Sequence, residues 1–282
     1  MKILVFGKTG QVATELQRLA DVHALGRQDA DLANPDACAA IIRDADADVV
    51  INAAAYTAVD KAEQEEDLAT LVNGHAPGAM ARAASAKGIP FLHISTDYVF
   101  SGQGDTAWAT DDPVAPPNAY GRSKLVGEQA VQAAGGAFAI LRTSWVFSSH
   151  GANFVKTMLR LSESRDELNI VDDQIGGPTA AKDIAQALLT MAHALVEGSP
   201  GGVFHFAGAP AVSWKDFAVE IFRQAGRSVA VTGIPTSDFP TPAVRPLNSR
   251  MDCSALTEAF GIRQPDWTES LAIVLEELKN AD

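Results

Sequence analysis

The chain has 282 residues, a formal net charge of −13 and a hydrophobic fraction of 47%, enough for one large domain or two modest ones around a sizeable core. The negative balance argues against a broad basic surface for nucleic acid or anionic lipid, while leaving room for a local basic pocket that takes a phosphate. Cys38 and Cys253 lack any metal or redox spacing and read as free thiols of a cytoplasmic protein, the apolar run Met1 to Phe6 is too short for a secretion signal, and no window reaches the ~18 apolar residues of a membrane span.

In chain order, Ile3 to Phe6 reads as a buried strand, Thr14 to Ala20 as a helix and Val22 to Leu25 as a second strand. Asp36 to Asp44 is helical and Asp48 to Asn52 is a strand. Lys61 to Lys87 carries an alanine-rich helical pattern, broken or kinked near Pro77. Pro90 to Ser95 is a strand, Gly121 to Ala134 a helix and Phe138 to Arg142 a strand. This alternation predicts an α/β fold of the Rossmann type, a doubly wound parallel sheet with helices on both faces.

Beyond Arg142 the pattern loosens. Asn153 to Ser164 and Asp183 to Val196 read as helices, Val203 to Phe206 as a short strand, and Ser213 to Ala225 as a helix with Ser213 as its N-cap. Gly233 to Asn248 holds four prolines and little periodicity, and a loop of that length in a compact domain usually touches a ligand. Ser270 to Lys279 closes as an amphipathic helix. The expected organisation is a dinucleotide-binding domain over 1–147 and 180–208, with a smaller, partly interleaved substrate domain over 148–179 and 209–282.

Gly7-Lys8-Thr9-Gly10-Gln11-Val12-Ala13 follows the first strand and opens the first helix. Glycine permits the tight turn and a close approach to a pyrophosphate, and the helix N-terminus supplies N–H donors. A carboxylate at the end of the second strand would bond the ribose of NAD; Leu25-Gly26-Arg27 stands there instead, and Arg27 would pair with a 2′-phosphate, favouring NADPH with NADH as the alternative. Asn52-Ala53-Ala54-Ala55-Tyr56-Thr57, after the third strand, is small enough for a cofactor to lie against it.

Thr96 falls at the end of a strand, where open α/β sheets bind ligands. Tyr120 and Lys124 lie four residues apart on one face of a helix. Alone, such a pair is weak evidence. In this order after a nucleotide turn, the three predict a ketone reduction: the Thr96 hydroxyl donates to a carbonyl oxygen and Tyr120 delivers a proton as hydride arrives. Lys124 would lower the tyrosine's pKa and hold the nicotinamide ribose.

With these residues in place, the chain resembles the extended short-chain dehydrogenase/reductases, and within them the dTDP-4-dehydrorhamnose reductase family. The likeness runs nearly end to end, through FGKTGQVATELQ at 6–17, NAAAYTAVDKAE at 52–63, STDYVFSG at 95–102 and NAYGRSKLVGE at 118–128. It continues in LRTSWVF at 141–147, NFVKTMLRL at 153–161, DDQIGGPT at 172–179 and RPLNSRMD at 245–252. The last two are the more specific, because they lie in the substrate half.

The resemblance implies Thr96, Tyr120 and Lys124 as the catalytic set. It implies Gly10, Gln11 and Val12 at the cofactor phosphates, next to Gly7 of the glycine turn, Asp31 and Leu32 beside the adenine, and Ala55, Tyr56 and Thr57 along the dinucleotide. Thr96, Asp97 and Trp145 would meet a dTDP-sugar, with Asn153 and Arg250 also on the substrate side. The implied reaction is reduction of the C4 ketone of dTDP-4-dehydro-β-L-rhamnose, the last step of dTDP-L-rhamnose synthesis, which feeds cell-surface polysaccharides. A sister reductase of different stereochemistry and a non-catalytic regulatory subunit are the rivals. Related dehydratases carry Asp-Glu after the threonine, whereas this chain has Asp97-Tyr98, so 4,6-dehydration is disfavoured. Some relatives join subunits through a magnesium ion held by glutamates. Glu15 matches one such position, but Lys182 falls at another, so no metal is expected. The expected assembly is a monomer or homodimer.

Overall fold

The computed structural model describes residues 1–280. In order come β1 (Ile3–Phe6), α1 (Gln11–Leu19), β2 (Val22–Leu25), α2 (Pro35–Asp44) and β3 (Val49–Asn52). Then follow α3 (Val59–Ala62), α4 (Glu66–Thr70), a π turn over Leu71–His75, α5 (Ala76–Lys87), β4 (Phe91–Thr96), α6 (Ala119–Ala134), β5 (Phe138–Thr143) and β6 (Val146–Phe147). The next elements are α7 (Phe154–Ser162), β7 (Glu167–Val171), β8 (Ile175–Gly176), β9 (Thr179–Ala180), α8 (Ala181–Val196) and β10 (Gly202–His205). The chain finishes through β11 (Val212–Ser213), α9 (Trp214–Ala225), β12 (Ala230–Ile234), β13 (Asn248–Ser249), α10 (Ser254–Phe260) and α11 (Trp267–Lys279).

Six strands form one parallel sheet in the order β10-β5-β4-β3-β1-β2. β1 and β3 are buried at every position, which is why they read as unbroken apolar runs rather than alternating ones. One face packs Leu16 of α1 and Ile184, Leu188 and Met191 of α8 against Val5 and Ile51. The other packs Ile42 of α2 and Met80 of α5 against Phe6 and Val50. The chain runs outward from β1 to β2 and then returns to place β3 on the other side of β1. That reversal opens a crevice at the carboxyl ends of β1 and β3, where ligands bind in such sheets. A third core gathers Phe147, Val155, Leu168, Phe217, Trp267 and Leu271.

Two expectations need correction. The helical stretch from 61 to 87 is distorted near Pro77, widening into the π turn that runs straight into α5, and it also breaks between α3 and α4, where no break was expected. Residues 167–171 and 230–234 were expected in no strand, yet β7 and β12 pair in parallel along five residues each. The second of these takes up the start of the stretch read as a long loop. Ser213 caps α9 as expected, accepting from the Asp216 N–H at 3.0 Å.

Candidate active site

The turn after β1 is built for a tight approach. Gly7 has φ of +110°, a region that favours glycine, and a Cβ there would meet the Ala53 carbonyl carbon and oxygen at 3.2 Å. Gly10 is the N-cap of α1 and offers no side-chain cap, so the first N–H groups of the helix point into the crevice without a side-chain partner. Such a cradle fits a dinucleotide pyrophosphate. Arg27 lies just past β2, exposed and 3.6 Å from Asp31. Leu32 packs into the core beside Phe6 and Ile42, so only its backbone is available at the crevice. Ala55, Tyr56 and Thr57 follow β3. The Asn73 side chain holds Tyr56 in place, accepting from its N–H at 2.8 Å and donating to its carbonyl at 3.0 Å.

Thr96 ends β4, and Tyr120 and Lys124 lie on the first turns of α6. Several contacts fix the start of that helix. Asn118 is its N-cap, accepting from Gly121 N–H at 2.8 Å, and its amide donates to the Val244 carbonyl. The Glu63 carboxylate accepts from Ala119 N–H. Further along, a Cβ on Gly127 would fall 2.1 Å from the Asn73 carbonyl, so only glycine lets α6 lie this close to the π turn. Asn73 also donates to the Ser123 hydroxyl at 2.9 Å.

The catalytic candidates therefore converge, but their electrostatics differ from expectation. Burial, reinforced by the Asp97 carboxylate, pushes the Tyr120 phenol above its usual range, with the neighbouring Thr96 hydroxyl acting the other way. The expected lowering by Lys124 does not set the direction, because desolvation of the anion is the largest influence here. Lys124 is itself buried, and its Nζ donates to the Ile94 carbonyl at 2.6 Å and lies 3.2 Å from His93 Nε2. Burial lowers its pKa to about 8, with the Glu128 carboxylate pulling the other way. Tyr98 packs edge-on against Tyr120, with ring centroids 5.5 Å apart.

Asp97 is buried directly after Thr96, and burial raises its carboxyl to about 6, with the neighbouring Ser249 and Thr96 hydroxyls acting the other way. Its Oδ1 accepts from the Thr96 hydroxyl at 3.0 Å, while Oδ2 has no partner among the described residues. A buried acceptor left open beside Thr96 suits a substrate hydroxyl. Trp145 adopts a left-handed backbone, φ +49°, and stacks on Trp214 at 3.6 Å. Arg250 is half-buried and donates to Asn248 Oδ1.

Asn153 is not brought to this cluster. It caps α7, and its amide donates to Gln11 Oε1 and to the Ser148 and His150 carbonyls. Its side chain thus braces the turn holding Gln11. Glu15, expected only as an isolated match, lies with His150 and Glu277 so that their ligand atoms fall within 4.8 Å of one another. The Arg18 guanidinium spans the two carboxylates, at 3.1 Å from Glu15 and 2.8 Å from Glu277, and supplies the positive charge.

Sequence reading missed His93, Asn73, Asn118 and the pair Glu128–Arg142. The last is a buried two-bond ion pair, 2.9 and 2.7 Å, that ties α6 to β5, and Ser95 of β4 donates to the same carboxylate. The Asn-x-x-Gly capping pattern at 118–121 was a legible signal for Asn118; the other three depend on contacts far apart in the chain.

Comparison with known proteins matches residues 1–280 to the family model described as RmlD substrate binding domain. The chain is 46% identical over 281 residues to a dTDP-4-dehydrorhamnose reductase of Sinorhizobium fredii, covering 96% of this chain and 95% of that one. Among solved structures it is similar to a dTDP-4-dehydrorhamnose reductase of Clostridium acetobutylicum, with a TM-score of 0.93, 39% identity and coverage of 99% and 100%. It is also similar to the Bacillus anthracis dTDP-4-dehydrorhamnose reductase in complex with NADP, with a TM-score of 0.91, 34% identity and coverage of 98% and 100%.

Proposed function

We infer, from the premise that the chain belongs to the dTDP-4-dehydrorhamnose reductase family, that it reduces the C4 ketone of dTDP-4-dehydro-β-L-rhamnose with NADPH, the final step of dTDP-L-rhamnose synthesis. The reading is supported by similarity over the whole chain, with Thr96 at the end of β4, Tyr120 and Lys124 on the first turns of α6, and Lys124 Nζ donating to the Ile94 carbonyl of β4. When bound, the reduced nicotinamide supplies the hydride. The Gly7–Val12 turn would hold its phosphates, Arg27 its 2′-phosphate, and Ala55 to Thr57 its length. Lys124 would hold the nicotinamide ribose.

The residues of the chain then supply the proton and the orientation. Thr96 positions the ketone oxygen by a hydrogen bond, turning its hydroxyl from Asp97. Tyr120 is the general acid. Its raised pKa keeps the phenol protonated at working pH, and an alkoxide is a still stronger base, so transfer runs downhill. Asp97 and Trp145 would orient the sugar, with Arg250 at the diphosphate. We place the substrate-binding part of the chain in 148–179 and 209–282. Among the described residues no helix is long and apolar enough to cross a membrane.

Two assays test this reading. The purified protein should oxidise one reduced nicotinamide per molecule of dTDP-4-dehydro-L-rhamnose and leave dTDP-glucose untouched, because Tyr98, held above its ordinary pKa by burial, cannot serve as the second base of a dehydratase. Elimination of water from dTDP-glucose would sink it, and tight cofactor binding without turnover would favour a regulatory role. For cofactor choice, Arg27→Ala should weaken NADPH binding more than NADH binding, since only the former carries the extra phosphate. Equal losses in titration calorimetry would remove Arg27 from the site.

A further inference from the structure

We propose that His93 is a positioning residue for the reduction, holding Lys124 Nζ in place and favouring its neutral amine in the ligand-free enzyme, with Asn52 fixing the imidazole's tautomer. The proposal rests on Lys124 having the role given above. Asn52 and His93 are register partners on β3 and β4, and both are buried. Asn52 Oδ1 accepts from the Ala54 N–H at 3.2 Å, which turns its Nδ2 toward His93 Nδ1 at 3.1 Å. An amide nitrogen only donates, so Nδ1 must accept. Burial holds His93 well below its ordinary pKa, so the ring is neutral and carries its one proton on Nε2. That N–H faces Lys124 Nζ at 3.2 Å.

An ammonium at this position would set donor against donor. A neutral amine accepts from Nε2–H and still donates to the Ile94 carbonyl at 2.6 Å. Reversing the Asn52 amide does not relieve the conflict. It moves the opposed donors to the half-buried Ala54 N–H, which would then lose its acceptor. The other titratable groups around Lys124 are few. Glu128, on the same helix, favours the ammonium. Tyr120 lies one turn earlier on α6, with Asp97 beside it, and from β3 comes only the uncharged Asn52. Gly127 lets α6 come this close, since a Cβ there would fall 2.1 Å from the Asn73 carbonyl oxygen, and the same position lies 3.5 Å from His93 Nε2. The network thus keeps the lysine near its titration point, where proton gain or loss costs little.

The test follows Lys124 directly by NMR in full-length protein carrying isotope-labelled lysine. Its signal is the one that vanishes in Lys124→Met. In His93→Gln the amide oxygen can face an ammonium, so the Lys124 midpoint should rise by about one pKa unit, equivalent to about 1.4 kcal/mol. Asn52→Asp gives Nδ1–H an acceptor and frees Nε2 to accept, so it should move the midpoint the same way, and it serves if His93→Gln fails to fold. The kcat against pH profile of the folded variant should shift in step, which lost packing alone would not produce. A midpoint that stays put or falls overturns the proposal. Near-normal turnover by Lys124→Met would instead overturn the role of Lys124 itself.

Discussion

Tyr120→Phe is expected to lower turnover by roughly two to four orders of magnitude while leaving cofactor affinity largely intact. The substitution removes one hydroxyl and keeps the ring, which Tyr98 steadies edge-on. Without the hydroxyl, the charge developing on the ketone oxygen has only Thr96 to meet it, and a hydrogen bond cannot replace a transferred proton. The loss should appear in kcat rather than in KM, because the tyrosine matters most after the carbonyl has begun to change. Stopped-flow measurement of cofactor oxidation under single-turnover conditions separates that step from product release. A variant that keeps near-normal single-turnover rates would remove Tyr120 as the acid and leave the proton source to Asp97, whose carboxyl is raised to about 6.

The largest stability effect should come from Glu128→Ala. Arg142 and Glu128 are both buried, and the carboxylate also accepts from Ser95 at 2.5 Å. Removing it strands a guanidinium in the interior, which costs about 3–5 kcal/mol. Phe100, whose ring lies 4.9 Å below the Arg142 guanidinium, offsets only part of this. Glu128→Gln keeps the shape and an acceptor oxygen and should lose less. Urea unfolding gives the comparison, and a loss below about 1 kcal/mol for Glu128→Ala would mean that water or a rotamer change reaches Arg142. Because Glu128 lies one turn beyond Lys124 on α6, the surviving folded enzyme should also show reduced turnover.

The central strands β1 and β3 were legible because each is a short β-branched run buried at every position. The nucleotide turn was legible because glycine spacing carries its own backbone reason. Thr96, Tyr120 and Lys124 were found through order and helical spacing, both local properties. What escaped was mostly non-local. His93 reads as one polar residue inside FLHIST, and only pairing of β3 with β4 puts Asn52 beside it. Asn73 owes its position to a π turn, whose extra residue breaks the 3.6-residue period that reveals helices. Glu128 and Arg142 each look like surface charges until α6 packs on the sheet. The direction of the Tyr120 shift was misjudged for a related reason: spacing shows who is near, whereas burial, which spacing does not show, decides which charge state is favoured.

The central claim is hydride delivery to the C4 ketone of a dTDP-sugar. The most direct test incubates the enzyme with dTDP-4-dehydro-L-rhamnose and NADPH deuterated at the transferable position, then examines the product by NMR. Hydride delivery to C4 gives dTDP-L-rhamnose with one deuterium at C4 and none elsewhere. Deuterium at C4 in the talose epimer would keep the chemistry but assign the opposite ketone face. Deuterium at another carbon, or product formed without label, would contradict it.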